Sequence, residues 1–172
     1  MSLSLSRALL AALALTAVTA GCARRSSTIP GTRISDDRVN RGILAAIEQY
    51  RTAVEKGDAE ALFLMASENY SEDSGTAGGE DDYGYVGLKD VLVGRFRMAR
   101  DIRFAMKYVN IRRTCAAADD LPVGCVARVE ALIDASFTIV DARGQDRRTD
   151  KRDQNELVLE WSGERWQFIA GL

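Results

Sequence analysis

Two kinds of side chain in this chain are placed to do chemistry, thiols and carboxylates, and a third kind is missing. The thiols are Cys22, Cys115 and Cys125. Cys115 and Cys125 bracket Ala116 to Gly124, where Asp119, Asp120, Pro122 and Gly124 favour a turn. Thiols so spaced either join as a disulfide or stay buried and free; an oxidising compartment favours the disulfide. The carboxylates gather between Ser71 and Tyr85, where Glu72, Asp73, Glu80, Asp81 and Asp82 sit among four glycines. Such oxygens suit calcium, yet Asp73-Ser74-Gly75 does not continue as an EF-hand loop. A loop covering a neighbouring opening is the better reading, and neither metal nor cofactor is called for. The chain has no histidine. That removes His-based triads, imidazole general bases and most zinc sites together.

What Cys22 can do depends on the residues before it. Arg7 gives a short positive start, Ala8 to Val18 an apolar run, and Thr19-Ala20-Gly21 a small-residue cleavage site. This is the pattern of a secretory signal over residues 1–21. The apolar run is shorter than the roughly 20 residues that span a bilayer. Thr19-Ala20-Gly21-Cys22 resembles a bacterial lipobox, with Thr19 where Leu is usual. The resemblance implies diacylglycerol on the Cys22 sulfur, cleavage before Cys22 and acylation of the new amine. Two or three acyl chains make a stable anchor at about 0.8 kcal/mol per buried methylene. The alternative is a plain secretory signal followed by a chance cysteine. Ala23 stands where Asp commonly means inner-membrane retention, so the sorting habit implies the outer membrane, facing the periplasm.

Behind the anchor, residues 22–35 carry Arg24, Arg25, Ser26, Ser27, Pro30 and Gly31, and read as a flexible tether. Residues 36–172 form one domain's length, enough to bury a full core. With 23 basic and 25 acidic residues the net charge is −2, which argues against a nucleic-acid partner.

The elements that must position any site follow from periodicity. Ser35, Asp36 and Asp37 offer helix N-caps, and Val39, Ile43, Ile47, Tyr50 and Val54 share one helical face. Gly57 stops that helix. Asp58 caps a second, shorter one with Leu62, Phe63, Met65 and Ala66 inward. Ser71 to Tyr85 reads as a mobile loop, and a third helix is predicted over Gly87 to Arg100. From Ile102 the period becomes two. Ile102, Phe104, Met106 and Tyr108 alternate with polar residues, and Val129, Ala131, Ile133, Ala135, Phe137 and Ile139 mark a long strand with one buried face. Asp141 to Asn155 is charge-rich and centred on Gly144, and reads as a hairpin tip with solvated strand ends. Leu157, Leu159 and Trp161 resume the pattern, and Trp166, Phe168 and Ala170 close it. Three helices followed by an antiparallel meander give an α+β fold, with the helices on one face of the sheet.

This order, with Tyr50 to Asp58 (Tyr-Arg-Thr-Ala-Val-Glu-Lys-Gly-Asp) and the closing Gly163-Glu164-Arg165-Trp166, resembles the nuclear transport factor 2-like superfamily over residues 38–172. The superfamily includes ketosteroid isomerase. The resemblance implies a cone, a curved sheet wrapped on the helices with an apolar cavity at its wide end. The implied pocket residues are Tyr50, Asp73, Trp166 and Phe168. Ketosteroid isomerase uses a carboxylate base with a Tyr and a protonated Asp as oxyanion donors. Tyr50 matches the Tyr of the first helix, and Asp73 falls one residue short of the base. The third position reads Leu157, with Glu156 facing the other way, so one donor is lost. Asp73 is therefore expected to be solvent-exposed and away from any cavity, and Tyr50 to pack in the core.

Three functions fit. The first is a non-catalytic lipoprotein binding a small apolar ligand or a protein partner in the cone. The second is an isomerase- or dehydratase-like enzyme using Tyr50 and Asp73. The third is a homodimer or assembly module acting through the sheet face, where Glu130 and Asp134 lie. Fold alone does not choose among them.

Overall fold

The computed structural model describes residues 27–73, 79, 81–117, 120–141 and 143–172. The signal segment, Cys22 and the first part of the tether lie outside the described residues.

Helix α1 (Arg38–Lys56) starts where Asp37 accepts a hydrogen bond from Asn40 N–H, and ends at Gly57 in the left-handed region at φ 64°. Asp58 caps α2 (Ala59–Met65) by accepting from Ala61 N–H. Strands β1 (Ser71–Glu72) and β2 (Tyr83–Gly84) pair antiparallel, so the acidic segment leaves and returns at one fixed point. The part of the expected loop at residues 74–78 and 80 lies outside the described residues. Helix α3 covers Tyr85–Met98, two residues earlier than the periodicity placed it.

Four strands follow: β3 (Ala99–Arg113), β4 (Val126–Val140), β5 (Asp146–Trp161) and β6 (Trp166–Ala170). They form one antiparallel sheet in the order β3-β4-β5-β6. Register shifts near Arg100–Arg103 and Tyr108–Asn110 bend β3 against β4, the kind of irregularity that raises local twist and curls a sheet. Ile43, Ile47, Leu62, Leu88, Val129, Leu157, Leu159 and Phe168 are fully buried between the helices and the concave face. The convex face carries ion pairs instead. Glu156 lies 2.8 Å from Arg112 and 2.7 Å from Arg128, and Arg152 lies 2.9 Å from Asp134.

The Cys115–Cys125 disulfide is present, with the two Cα atoms 5.7 Å apart. It joins the end of β3 to the start of β4.

One expectation is corrected. The tether expected over residues 22–35 is ordered in its second half, where Thr28 pairs with Ser35 and Ile29 N–H donates to Ile34 O at 2.9 Å. Pro30-Gly31 makes the turn, with Gly31 at φ 76° and Thr32 N–H donating to Ile29 O. Ile34 is only 4% exposed, and this burial holds the hairpin on the domain. In the hairpin expected over Asp141 to Asn155, the solvated strand ends take up most of the stretch and the tip is short. β5 pairs with β4 residue for residue from Val140↔Asp146 to Val126↔Glu160. The turn itself is short, closed where Asp141 Oδ1 accepts from Arg143 and Gln145 N–H. Because β6 pairs β5 only from Val158 to Trp161, the rest of β5 is an edge strand. Its charges are what such an edge uses to avoid pairing with another chain.

Candidate functional site

The concave face of the sheet is sealed at one end and open at the other. Toward the Cys115–Cys125 end, Ala127, Val129 and Ala131 of β4 and Leu157 and Leu159 of β5 are buried under α1. Further along the same face, Ile133, Ala135, Phe137 and Ile139 line a cavity of about 860 Å³. Leu92 and Phe96 of α3 close it from the other side, with Ile102 and Phe104 of β3 between. These walls are apolar. The size and character suit a small-molecule site.

Tyr50 marks the boundary between the two ends. It lies on α1 one turn before Val54, and both face the cavity. Its ring stands edge-on to Phe104 with centroids 5.8 Å apart, and leans on Phe168 at 5.4 Å. The residue is 5% exposed. No described residue hydrogen-bonds its hydroxyl, and that oxygen is not among the sealed, partnerless polar atoms. It therefore opens to the cavity. Burial pushes the phenol up to about 12, with nearby Arg95 pulling it down and Glu72 pushing it further up.

Those two neighbours belong to a polar cluster at one end of the cavity. Glu72 Oε2 accepts from Tyr70 O–H at 2.6 Å and from Gly171 N–H at 2.8 Å. The Tyr70 hydroxyl oxygen in turn accepts from Leu172 N–H at 3.1 Å. Burial and the bond to Glu72 hold the Tyr70 phenol far above its ordinary range. Arg95 Nη1 donates to the Leu172 backbone oxygen at 3.3 Å, and Nη2 donates to the Tyr83 hydroxyl at 3.2 Å. Gly171 lets the chain turn in here. Its φ is 89°, and a Cβ would sit 2.6 Å from Glu156 O, so no other residue fits without moving the backbone.

The sequence-predicted pocket residues divide. Tyr50 lines the cavity, as does Asp73. Asp73 is exposed, as expected, but it is not remote from the cavity: it follows β1 directly and lies on the cavity wall. Trp166 and Phe168 do not line this cavity. Alternation along β6 turns them toward α1, where Phe168 is fully buried and Trp166 stacks at a tilt on Trp161 beside Gly42. They border a separate crevice of about 260 Å³ with Ala45, Ala46, Leu64 and Met65. Leu157 is fully buried, so that position supplies no donor.

Sequence reasoning missed Glu72, Tyr83 and Arg95. For Glu72 a signal existed: Tyr70 and Glu72 are alternate residues entering a strand and so share its inward face. Tyr83 and Arg95 carry no local signature, because one follows the acidic segment and the other lies on a weakly amphipathic helix. Among the described residues no cluster of Cys, Asp and Glu is arranged to hold a metal ion.

Comparison with known proteins gives a fold-level answer. No family model matches the chain, and no curated protein matches its sequence. Among solved structures it is similar to a ketosteroid isomerase-like protein from Erwinia carotovora atroseptica SCRI1043, with TM-score 0.58, 19% identity, and 76% of this chain and 90% of that chain covered. It is similar to a provisionally assigned scytalone dehydratase from Novosphingobium aromaticivorans DSM 12444, with TM-score 0.59, 14% identity, and coverage of 77% and 80%. A provisionally assigned dehydratase of the nuclear transport factor 2-like family from Streptomyces avermitilis aligns with TM-score 0.56, 12% identity, and coverage of 76% and 92%. At such identities the likeness speaks for architecture alone, and the architecture is the nuclear transport factor 2-like α+β cone.

Proposed function

We propose that this is a lipid-anchored protein of a bacterial cell envelope whose cone binds a small apolar molecule without transforming it. The anchor rests on Thr19 to Cys22. The binding role rests on one observation: a largely apolar-walled cavity of about 860 Å³ into which the buried Tyr50 hydroxyl, without a hydrogen-bond partner among the described residues, opens. A hydroxyl in that setting costs free energy until something accepts its proton, which a ligand oxygen would do. The inward carboxylate, Glu72, is already engaged by Tyr70 and Gly171, so it is spent on holding the fold. With no histidine in the chain, no other side chain is an obvious base at neutral pH.

A second reading, an isomerase- or dehydratase-like enzyme, has one observation in its favour. Tyr50, Glu72 and Asp73 all line the same cavity.

The experiment uses N-phenyl-1-naphthylamine, a neutral apolar fluorophore, on the full chain carrying Cys22→Ser so that no acyl group competes. Saturable fluorescence enhancement is expected, and Ala135→Trp, which fills the cavity wall, abolishes it. Unsaturable or variant-independent enhancement overturns the binding reading. Native mass spectrometry of protein from envelopes separates the two functions. An apolar adduct of constant mass supports a binder, whereas turnover that is lost in Tyr50→Phe and in Glu72→Gln supports an enzyme.

A further inference from the structure

The ordered hairpin from Ile29 to Ile34 leaves few residues between Cys22 and the fixed domain. Only Ala23, Arg24, Arg25 and Ser26 lie between Cys22 and Ser27. An extended chain covers at most about 3.6 Å per residue, so these two Cα atoms stay within roughly 18 Å of each other. Ser27 O accepts from Asp36 N–H at 2.7 Å, which puts the exit point beside the start of α1. Asp37 pairs with Arg113 at 3.0 Å, just before the Cys115–Cys125 bridge. Trp161 N–H donates to Cys125 O at 2.9 Å, and Gly124 N–H donates to Trp161 O at 2.8 Å. The exit point, the bridge and the β5–β6 turn therefore share the sealed end of the cone.

An apolar surface lies at this end. Trp161, Trp166, Leu64 and Met65 border one crevice, with the exposed Arg165 among them. Val123 extends it over the turn, where a Cβ on Gly163 would lie 3.2 Å from the Val123 side chain. Leu64 is 59% exposed and Val123 73%. Neither indole N–H has a hydrogen-bond partner among the described residues, and neither is sealed from the outside. An indole with an apolar body and a donor tip is suited to a membrane interface, where phosphate and ester oxygens accept its proton. Arg165 can lay its stem along such a surface and keep its charge at the phosphates. Asp120 and Glu164 are also exposed here and oppose anionic lipid, so the contact is apolar rather than electrostatic.

Resting on the lipid-anchor reading above, we infer that the sealed end of the cone docks on the phospholipid surface that holds Cys22, with Trp161, Trp166, Leu64 and Val123 in the headgroup region. From Val126 to Ile139 the strand β4 runs about 40 Å at roughly 3.3 Å per residue. The cavity therefore opens away from the bilayer and takes its ligand from the aqueous side.

Both tryptophans of the chain lie in this surface, so intrinsic fluorescence reads it directly. The lipidated full chain from envelopes is reconstituted in phosphatidylcholine vesicles, with or without lipid brominated high on the acyl chains. Bromine is expected to quench the emission, and salt to leave the quenching intact. Leu64→Asp with Val123→Asp should keep the protein floating with the vesicles and cut the docked-to-undocked ratio about tenfold or more, the worth of burying one such side chain. Both positions are exposed, so the fold should survive, which thermal unfolding checks. Phe137→Trp, in a chain with Trp161→Phe and Trp166→Phe, reports the open end and should stay unquenched. In envelopes, p-benzoylphenylalanine in place of Leu64 should cross-link to lipid. The docking inference is overturned, while the anchor stands, by any of four results: unquenched emission in vesicles that carry the protein, quenching that the double variant keeps, quenching that salt abolishes, or a cross-link to protein. Quenching of the open-end reporter overturns the orientation. Protein that does not float with vesicles, and whose Cys22 peptide carries no acyl mass, sinks the anchor and the docking inference with it.

Discussion

Between Ala127 and Ala131 the inward face of β4 is sealed, and between Ile133 and Ile139 the same face of the same strand lines a void. The side chains of β4 do not explain this, since they are apolar along its whole length. Its partner strand does. Opposite Ala127 and Val129 stand Leu159 and Leu157, and opposite Ala131, the last sealed residue, the uncharged Asn155; opposite Ile133 and Ala135 stand Asp153 and Lys151. Where both partners are apolar, α1 can close over them and expel water. Where one partner is charged, closure would strip water from Lys151 and Asp153, at a cost that apolar contact does not recover. The cone is hollow where β5 turns polar.

The largest test of that contrast lies at the sealed end. Phe168→Ala removes a fully buried ring packed on Tyr50, and should cost about 3–5 kcal/mol. Denaturant unfolding measures it. A loss below about 1 kcal/mol, outside the usual range for a buried aromatic truncation, would mean that the sealed end is loosely packed and that the two ends differ little.

Next comes the bridge at the same end. Cys115 and Cys125 are 10 residues apart, and Cys125 is buried. Replacing both by Ser should lower stability by about 2–3 kcal/mol, by freeing a short loop in the unfolded chain. Mass spectrometry of non-reduced peptides checks the bond itself, and two freely alkylated thiols would refute it.

These residues also show what could be read from the chain and what could not. The capping acids Asp37 and Asp58, the stop at Gly57 and the alternation from Val129 to Ile139 are local signals, and the structure follows them. The strand from Asp146 to Asn155 was hidden because both of its faces are polar, so no period-two apolar signal exists to find. Its pairing is imposed by β4. The hairpin at Ile29 to Ile34 did carry a signal, Pro-Gly between two isoleucines, which a low apolar count masked. The cavity as such was not legible. It depends on which residues face each other across β4 and β5, and sequence gives each strand's alternation without their register. Tyr50 was legible as an inward residue of α1, whereas Arg95 became visible only once α3 was placed beside the open end.

At the boundary, Tyr50 gives a pH test. Its phenol titrates near 10 in the unfolded chain and near 12 when folded. Below pH 10 both states hold the proton and the folded state keeps its full stability. Between pH 10 and about 12 the unfolded state loses its proton first, so stability falls as pH rises, by up to about 2–3 kcal/mol for this group. Tyr50→Phe should remove that part of the alkaline loss, which unfolding curves taken across this range would show. An unchanged pH dependence would place the hydroxyl in water rather than at the neck of a largely apolar cavity.

The smallest effect is expected at the open end. Phe137 and Ile139 lie on the same face as Val129, yet each is only half-buried, with the cavity in front of it. A side chain that already faces a void leaves little new cavity when it is shortened, and its loss from packing is partial. Phe137→Ala should therefore cost less than about 1.5 kcal/mol, well under the value for Phe168, though both remove the same ring. Binding should move the other way, because Phe137 is wall rather than core. Fluorophore affinity should fall several-fold in Phe137→Ala, and in Phe168→Ala should be lost only in proportion to unfolding. Equal destabilisation by the two substitutions would mean that the open end packs as the sealed end does, and the comparison between them would fail.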